Sequence, residues 1–88
     1  MPPYTVSLKP AAVRQLEGFP RDIQERIVAR LTSLGGNPRP PGTEKLKGSV
    51  GLFRVRVGDY RIVYRIEEDR HVVLVVKIGH RRDVYRGF

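Results

Sequence analysis

The stretch Val50–Ile66, VGLFRVRVGDYRIVYRI, decides how this chain is read. Apolar residues recur through it with a period of two, the pattern of a half-buried strand. Gly58-Asp59 breaks the alternation, and glycine at the first central position suits a two-residue type II′ hairpin turn. Two strands result, at about Leu52–Val57 and Tyr60–Glu67. The turn sets Val57 opposite Tyr60, Arg56 opposite Arg61, Arg54 opposite Val63 and Leu52 opposite Arg65. Side chains alternate across a strand, so the last three pairs share one face. Phe53, Val55, Val57, Tyr60, Ile62, Tyr64 and Ile66 form an apolar surface on the other.

Directly opposed like charges weaken an antiparallel pair by up to about 1 kcal/mol. Arg56 beside Arg61, flanked by Arg54 and Arg65, is therefore expected to receive an anion, and guanidinium binds phosphate bidentately at any working pH. The alternative is that these arginines pair with Asp59, Glu67 or Asp83, or extend into water. Both readings stay open at this level.

Toward the C-terminus, EEDRH at Glu67–His71 makes a turn, with His71 read as a turn residue and nothing more. VVLVVKI at Val72–Ile78 is nearly continuous in apolar residues, as expected of a central strand covered on both faces. Lys77 is its one charge and groups by alternation with Gly79 and Arg81. The tail IGHRRDVYRGF then gathers His80, Arg81, Arg82, Tyr85 and Arg86. Arginines can take phosphates, and Tyr85 can stack on an unpaired base for about 1–3 kcal/mol. A tyrosine so placed can also plug the core.

Toward the N-terminus, YTVSL at Tyr4–Leu8 reads as a strand, after a Met1-Pro2-Pro3 end expected to fray. Pro10 suits the first turn of a helix that carries Ala12, Val13 and Leu16 and stops at Gly18. A second helix starts at about Pro20, with Asp22 and Glu25 near its positive end. Its Ile23, Ile27, Leu31 and Leu34 make one apolar stripe, widened by Val28. Gly35-Gly36 and Asn37-Pro38 end it. Residues 35–51 form a long connection of a kind that is often functional. Within it Glu44, Lys45 and Lys47 surround the apolar Leu46.

The expected architecture is α+β: an N-terminal strand, a helical hairpin, then a three-strand antiparallel meander, with the helices packed on one face of a small antiparallel sheet. At 88 residues the chain is read as one domain, 1–88, with a thin core.

Seventeen Lys plus Arg against nine Asp plus Glu give a net charge of +8. Residues 1–44 hold six basic and four acidic side chains, and residues 45–88 hold eleven and five, so the C-terminal half carries most of the excess. A polyanion or an acidic protein is the partner this implies. The absence of cysteine excludes disulfides, thiol nucleophiles and sulfur-ligated metals. With two histidines, His71 and His80, a histidine-rich metal site is not expected, and no cofactor is. No apolar run approaches the ~20 residues of a membrane span, and no signal-peptide pattern opens the chain. The expectation is a soluble cytoplasmic protein.

The order strand, helical hairpin, NPRP loop, KLKG, GLFRVRVGDYRIVYRI and IGHRRDVYR resembles the RelE toxins of the RelE/ParE toxin–antitoxin superfamily from Tyr4 to Arg86. The resemblance implies a toxin neutralised by a cognate antitoxin. It implies entry into the ribosomal A site and metal-independent cleavage of messenger RNA there, the 2′-hydroxyl attacking the adjacent phosphorus. By resemblance Arg61 stabilises transition-state charge, Arg81 serves the phosphate and leaving group, and Tyr85 stacks on the nucleotide. Arg54 and Arg56 stand where one branch of the family carries two lysines, one of them proposed as general base. An arginine cannot readily release a proton, so neither fills that role. Glu44 and His80 remain the candidates for base and acid. Arg54, Arg56, Arg65, Lys45, Lys47, Lys77 and Arg82 complete an expected RNA-binding set. Two other functions fit the same resemblance: a ParE-like inhibitor of DNA gyrase without nuclease activity, and a degenerate toxin that only binds its antitoxin.

Overall fold

The structure, a computed structural model, describes residues 3–85. Met1, Pro2 and Arg86 lie outside that range. The β3–β4 hairpin forms with the register read from the sequence. With β3 at Leu52–Val57 and β4 at Tyr60–Glu67, Val57 pairs with Tyr60, Arg56 with Arg61, Arg54 with Val63 and Leu52 with Arg65. Gly58 takes φ +57° and Asp59 stays out of the left-handed region, the type II′ pattern.

β5, Val72–His80, follows a short 3₁₀ turn at Glu68–Arg70 and lies antiparallel to β4. It runs two residues beyond the expected Ile78. Val63 pairs with Lys77 but Tyr64 pairs with Val75, so Val76 is an extra residue, a β-bulge. The bulge decides which way Lys77 points. Unbroken alternation from Val73 and Val75 would drive this lysine into the core. The extra residue turns it to the side of Val63, and brings Ile78 and His80 to the side of Val73 and Val75.

Two strands extend the meander. β1, Thr5–Leu8, lies parallel to β5, from Thr5 opposite Val72 to Leu8 opposite Val75. β2, Glu44–Lys45, pairs antiparallel with Arg54 and Phe53 on β3. The expected antiparallel meander is present, and the parallel β1 makes the whole sheet mixed, in the order β1-β5-β4-β3-β2.

The helices cover one face. α1, Pro10–Glu17, starts on the expected proline, and α2 spans Arg21–Gly36. The Gln24 amide seals the break between them by donating to the Phe19 carbonyl at 2.8 Å, while Gln15 Oε1 accepts the Ile78 N–H at 2.8 Å and ties α1 to β5. Ala12, Ile27, Leu31 and Leu34 pack onto Val55, Ile62, Tyr64, Val73, Val75 and Ile78. Burying an Ile, Leu or Val side chain of this kind contributes roughly 1.5–3 kcal/mol. The apolar hairpin face expected from the sequence is the floor of this core. Val28 and Val13 do not join it. They are 48% and 39% exposed, because each sits a further 100° round its helix from the residues that meet the sheet.

The buried Tyr64 hydroxyl donates to the Pro38 carbonyl at 2.7 Å and anchors the connection after α2. Nearby, Glu68 accepts from Tyr4 at 2.8 Å and pairs with Arg39 at 2.7 Å, so the residue before β1, the 37–40 segment and the turn before β5 meet at one carboxylate. His71, in that turn, takes a left-handed φ of +52° and lies against Tyr4 with ring centroids 5.4 Å apart. No helix among the described residues is long and apolar enough to cross a membrane.

Candidate functional site

The face of the sheet away from the helices is only partly open. Residues 81–85 fold back across it, burying Val84 against Leu52 and Val63, with Leu46, Val76 and Tyr85 around them. A Cβ on Gly79 would lie 3.4 Å from Val84, so the bare glycine gives the returning chain its seat. This second apolar cluster divides the cations expected on the face into two groups.

The first group lines a groove of about 500 Å³ bounded by Glu44, Lys45, Leu46, Lys47, Gly48, Ser49, Arg54 and Tyr85. Arg54 is its centre. Its Nη1 donates to the Tyr85 hydroxyl at 3.0 Å and its Nη2 to Glu44 Oε2 at 3.2 Å. Its guanidinium also stands over the Tyr85 ring, 5.5 Å from the centroid. The hydrogen bond to Tyr85, then the one to Glu44, holds the Arg54 pKa above its ordinary value. Cross-strand pairing builds the arrangement. Glu44 faces Arg54, Arg54 faces Val63 and Val63 faces Lys77, one row across four strands. Lys45 and Lys47 are exposed at the rim. Tyr85 packs on the Leu52–Val63–Val84 cluster and lines the groove as well.

The second group surrounds the hairpin turn, one row along the same face and about 7 Å from the first. Arg61 Nη1 donates to the carbonyls of Gly58 and Tyr60 at 3.1 and 3.0 Å, which gives its charge local acceptors beside Arg56. The Arg81 N–H donates to the Asp59 carbonyl at 2.8 Å, and its Nε lies 4.0 Å from the Asp59 carboxylate, a loose contact. From α2, Arg26 Nη2 comes within 2.8 Å of the point where a Gly58 Cβ would stand. Arg56 and Arg65 are exposed and make no ion pair among the described residues. Of the carboxylates offered as partners, Glu67 pairs with Arg70 at 3.0 Å.

His80 is not brought to the groove. It pairs with Tyr60 on the helix side of the sheet, ring centroids 5.8 Å apart and edge to face, and its Nδ1 accepts the Arg82 N–H at 3.3 Å. The sheet thus lies between His80 and Glu44, and the two are not assembled as a base–acid pair. Arg82 is exposed in the turn that follows. Sequence reading placed Val63 opposite Arg54 on β4 but no residue beside it on the outer edge, because β2 is two charged residues with no pattern of its own. The KLKG signal marked the neighbourhood but not the pairing. Among the described residues no three His, Asp or Glu side chains gather as a metal-binding group.

The architecture and sequence have known counterparts. Residues 6–85 match the family described as the ParE toxin of the type II toxin–antitoxin system, parDE. Toxin RelG of Mycobacterium tuberculosis (strain ATCC 25618 / H37Rv) is 33% identical over 85 residues, covering 96% of this chain and 98% of the relative. The toxin–antitoxin complex RelBE2 from Mycobacterium tuberculosis contains a chain that superposes with a TM-score of 0.80 at 30% identity, covering 89% of this chain and 98% of that one. The archaeal RelE–RelB complex from Pyrococcus horikoshii OT3 gives a TM-score of 0.80 at 27% identity, over 96% and 100% of the two chains.

Proposed function

The chain belongs to the RelE/ParE family of type II toxin–antitoxin toxins, and from that premise we propose that it cleaves messenger RNA in the ribosomal A site without a metal. The observation that carries this reading is the groove in which Glu44, Arg54 and Tyr85 meet, one row from Arg61 on the same sheet face. An RNA strand along that face meets guanidinium groups at successive phosphates and an aromatic ring at a base.

In the proposed reaction Glu44 takes the proton from the 2′-hydroxyl. The 2′-oxygen bonds to phosphorus while the bond from phosphorus to the 5′-oxygen breaks, leaving a 2′,3′-cyclic phosphate and a new 5′-hydroxyl end. Arg54 and Arg61 hold the nonbridging oxygens, whose charge grows in the transition state. Arg81 stabilises the departing 5′-oxygen, which takes its proton from water. Tyr85 orients the nucleotide by stacking. Lys45, Lys47, Arg56, Arg65, Lys77 and Arg82 supply the cationic track. His80 supports the turn that carries Arg81, through the Arg82 N–H, rather than touching the RNA.

A neutralising antitoxin is the second partner. It is supported by the toxin–antitoxin complexes among the solved relatives, and an acidic or amphipathic segment would suit the charge of this face. The site of action is the cytoplasm, where messages are translated.

The test is a purified translation reaction with and without this protein, mapped by primer extension. Cuts at A-site codons on translated messages, and none on naked RNA, are expected. The match to the ParE family favours inhibition of DNA gyrase as the second reading. Intact messages together with lost gyrase supercoiling would replace the first by the second.

A further inference from the structure

In the free protein the groove is already occupied by the protein's own groups. Glu44 is the one carboxylate among the residues that line it, and it lies on the Nη2 edge of Arg54 at 3.2 Å. Carboxylate and phosphate engage a guanidinium in the same way, through oxygens in the plane of its N–H fork. The other terminal nitrogen is taken by the Tyr85 hydroxyl at 3.0 Å. A phosphate arriving at the Nη2 edge of Arg54 therefore competes with Glu44 for it, although each Nη has a second N–H to offer. The same guanidinium stands over the Tyr85 ring at 5.5 Å from its centroid, beside the surface on which a nucleobase would stack.

The two partners differ in how firmly they are held. Tyr85 is half-buried on the Leu52–Val63–Val84 cluster. Glu44 belongs to a two-residue edge strand, and its side chain is 59% exposed against 33% for Arg54. An exposed carboxylate keeps much of its hydration whether it is paired or free, so releasing it costs little. Lys45 and Lys47 beside it offer an arriving phosphate further cations.

We propose that Glu44 is a built-in phosphate mimic: it holds the Arg54 seat until the RNA backbone exchanges with it. This rests on the RNA reading of the groove and adds to it. In the free protein the charge of Arg54, though not that of Lys45 and Lys47, already has a partner at the seat. The carboxylate proposed as the base is released from its cationic partner only when RNA has arrived.

The experiment measures binding alone, with a short 2′-O-methyl oligoribonucleotide that lacks the nucleophile. Fluorescence anisotropy titrations over a salt series compare the full chain with Glu44→Gln, Arg54→Ala and the double variant. Glu44→Gln is expected to bind about two- to fivefold more tightly at low salt, the equivalent of one exposed ion pair. Its plot of log affinity against log salt should be steeper by about 0.7, the increment for one more phosphate contact that releases a counterion from a single strand. In the Arg54→Ala background the gain should vanish. Equal or weaker binding by Glu44→Gln overturns the exchange, and so does a gain that survives Arg54→Ala, since that would be long-range charge alone. If none of the four proteins binds the oligonucleotide, the RNA reading of the groove fails and the exchange fails with it.

Discussion

Val84 sits directly over Gly79: a Cβ added to the glycine would lie 3.4 Å from both the Cα and the Cβ of Val84. That contact joins the last described segment to the sheet, and through Tyr85 it positions the ring that lines the groove. Alanine at position 79 would just reach contact. Valine would force the 81–85 segment off its seat. Gly79→Val is expected to destabilise the protein by about 1–3 kcal/mol and to lower cleavage by misplacing Tyr85. Urea unfolding and the translation assay check the two effects, and unchanged stability would show that Val84 is not seated there.

Arg61→Ala and Arg81→Ala are each expected to reduce cleavage on the order of 10²–10³-fold, the usual loss when one donor to a developing oxyanion is removed. Both side chains lie at the hairpin turn, outside the apolar clusters. Unfolding free energy should therefore move by no more than about 1 kcal/mol. Primer extension reads the first quantity and denaturant titration the second. If either variant cuts at the parent rate, that arginine's assignment is wrong.

Tyr64→Phe removes a buried hydroxyl whose 2.7 Å hydrogen bond satisfies the Pro38 carbonyl. The carbonyl is left without that donor in a buried site, at a cost of about 1–3 kcal/mol. Thermal unfolding should show a clear drop in Tm with the native fold retained by circular dichroism. A drop within error would mean that water replaces the hydroxyl.

Glu68 titrates below the usual carboxylate value because of its hydrogen bond from Arg39 and then that from Tyr4. A depressed folded pKa contributes stability above the unfolded value, near 4.5, and that contribution is lost as pH falls through the lower folded value. The urea midpoint is expected to decline on acidification below about pH 4.5, and less steeply in Glu68→Gln. Identical acid limbs for the two proteins would remove Glu68 from the account.

Gly58→Ala places a side chain at φ +57°, where an L-residue costs about 1–2 kcal/mol. It also pushes Arg26 Nη2 away from its 2.8 Å approach. A loss of about that size in urea unfolding is expected, and an unchanged midpoint would mean that the turn relaxes into another type.

The hairpin was legible because its signals are local. Alternation over Leu52–Glu67 and one glycine at the turn specify both the register and the two faces. The helices were legible for the same reason, with Pro10 and the Ile27–Leu31–Leu34 spacing marking their start and buried side. The bulge at Val76 was not, since no residue type there demands it. Its trace was the lone Lys77 in an apolar strand, whose charge has to leave the core somehow. Val28 and Val13 show the opposite limit: apolarity widened the predicted stripe, but sheet contact is narrower than the stripe.

What the sequence determined by itself was the chemistry available and the local periodicity: arginines that stay charged, a hairpin that displays them on one face, helices with one apolar side. Tertiary structure decided which of those groups meet. Val84 folding back split the cations into two groups, β2 set Glu44 on Arg54, and the bulge in β5 sent His80 to the far side of the sheet. The physical reason is that pattern acts along the chain, over the few residues that share a backbone periodicity. Contacts between Glu44, Arg54 and Tyr85 instead depend on packing between segments 10 and 31 residues apart, which no local repeat encodes.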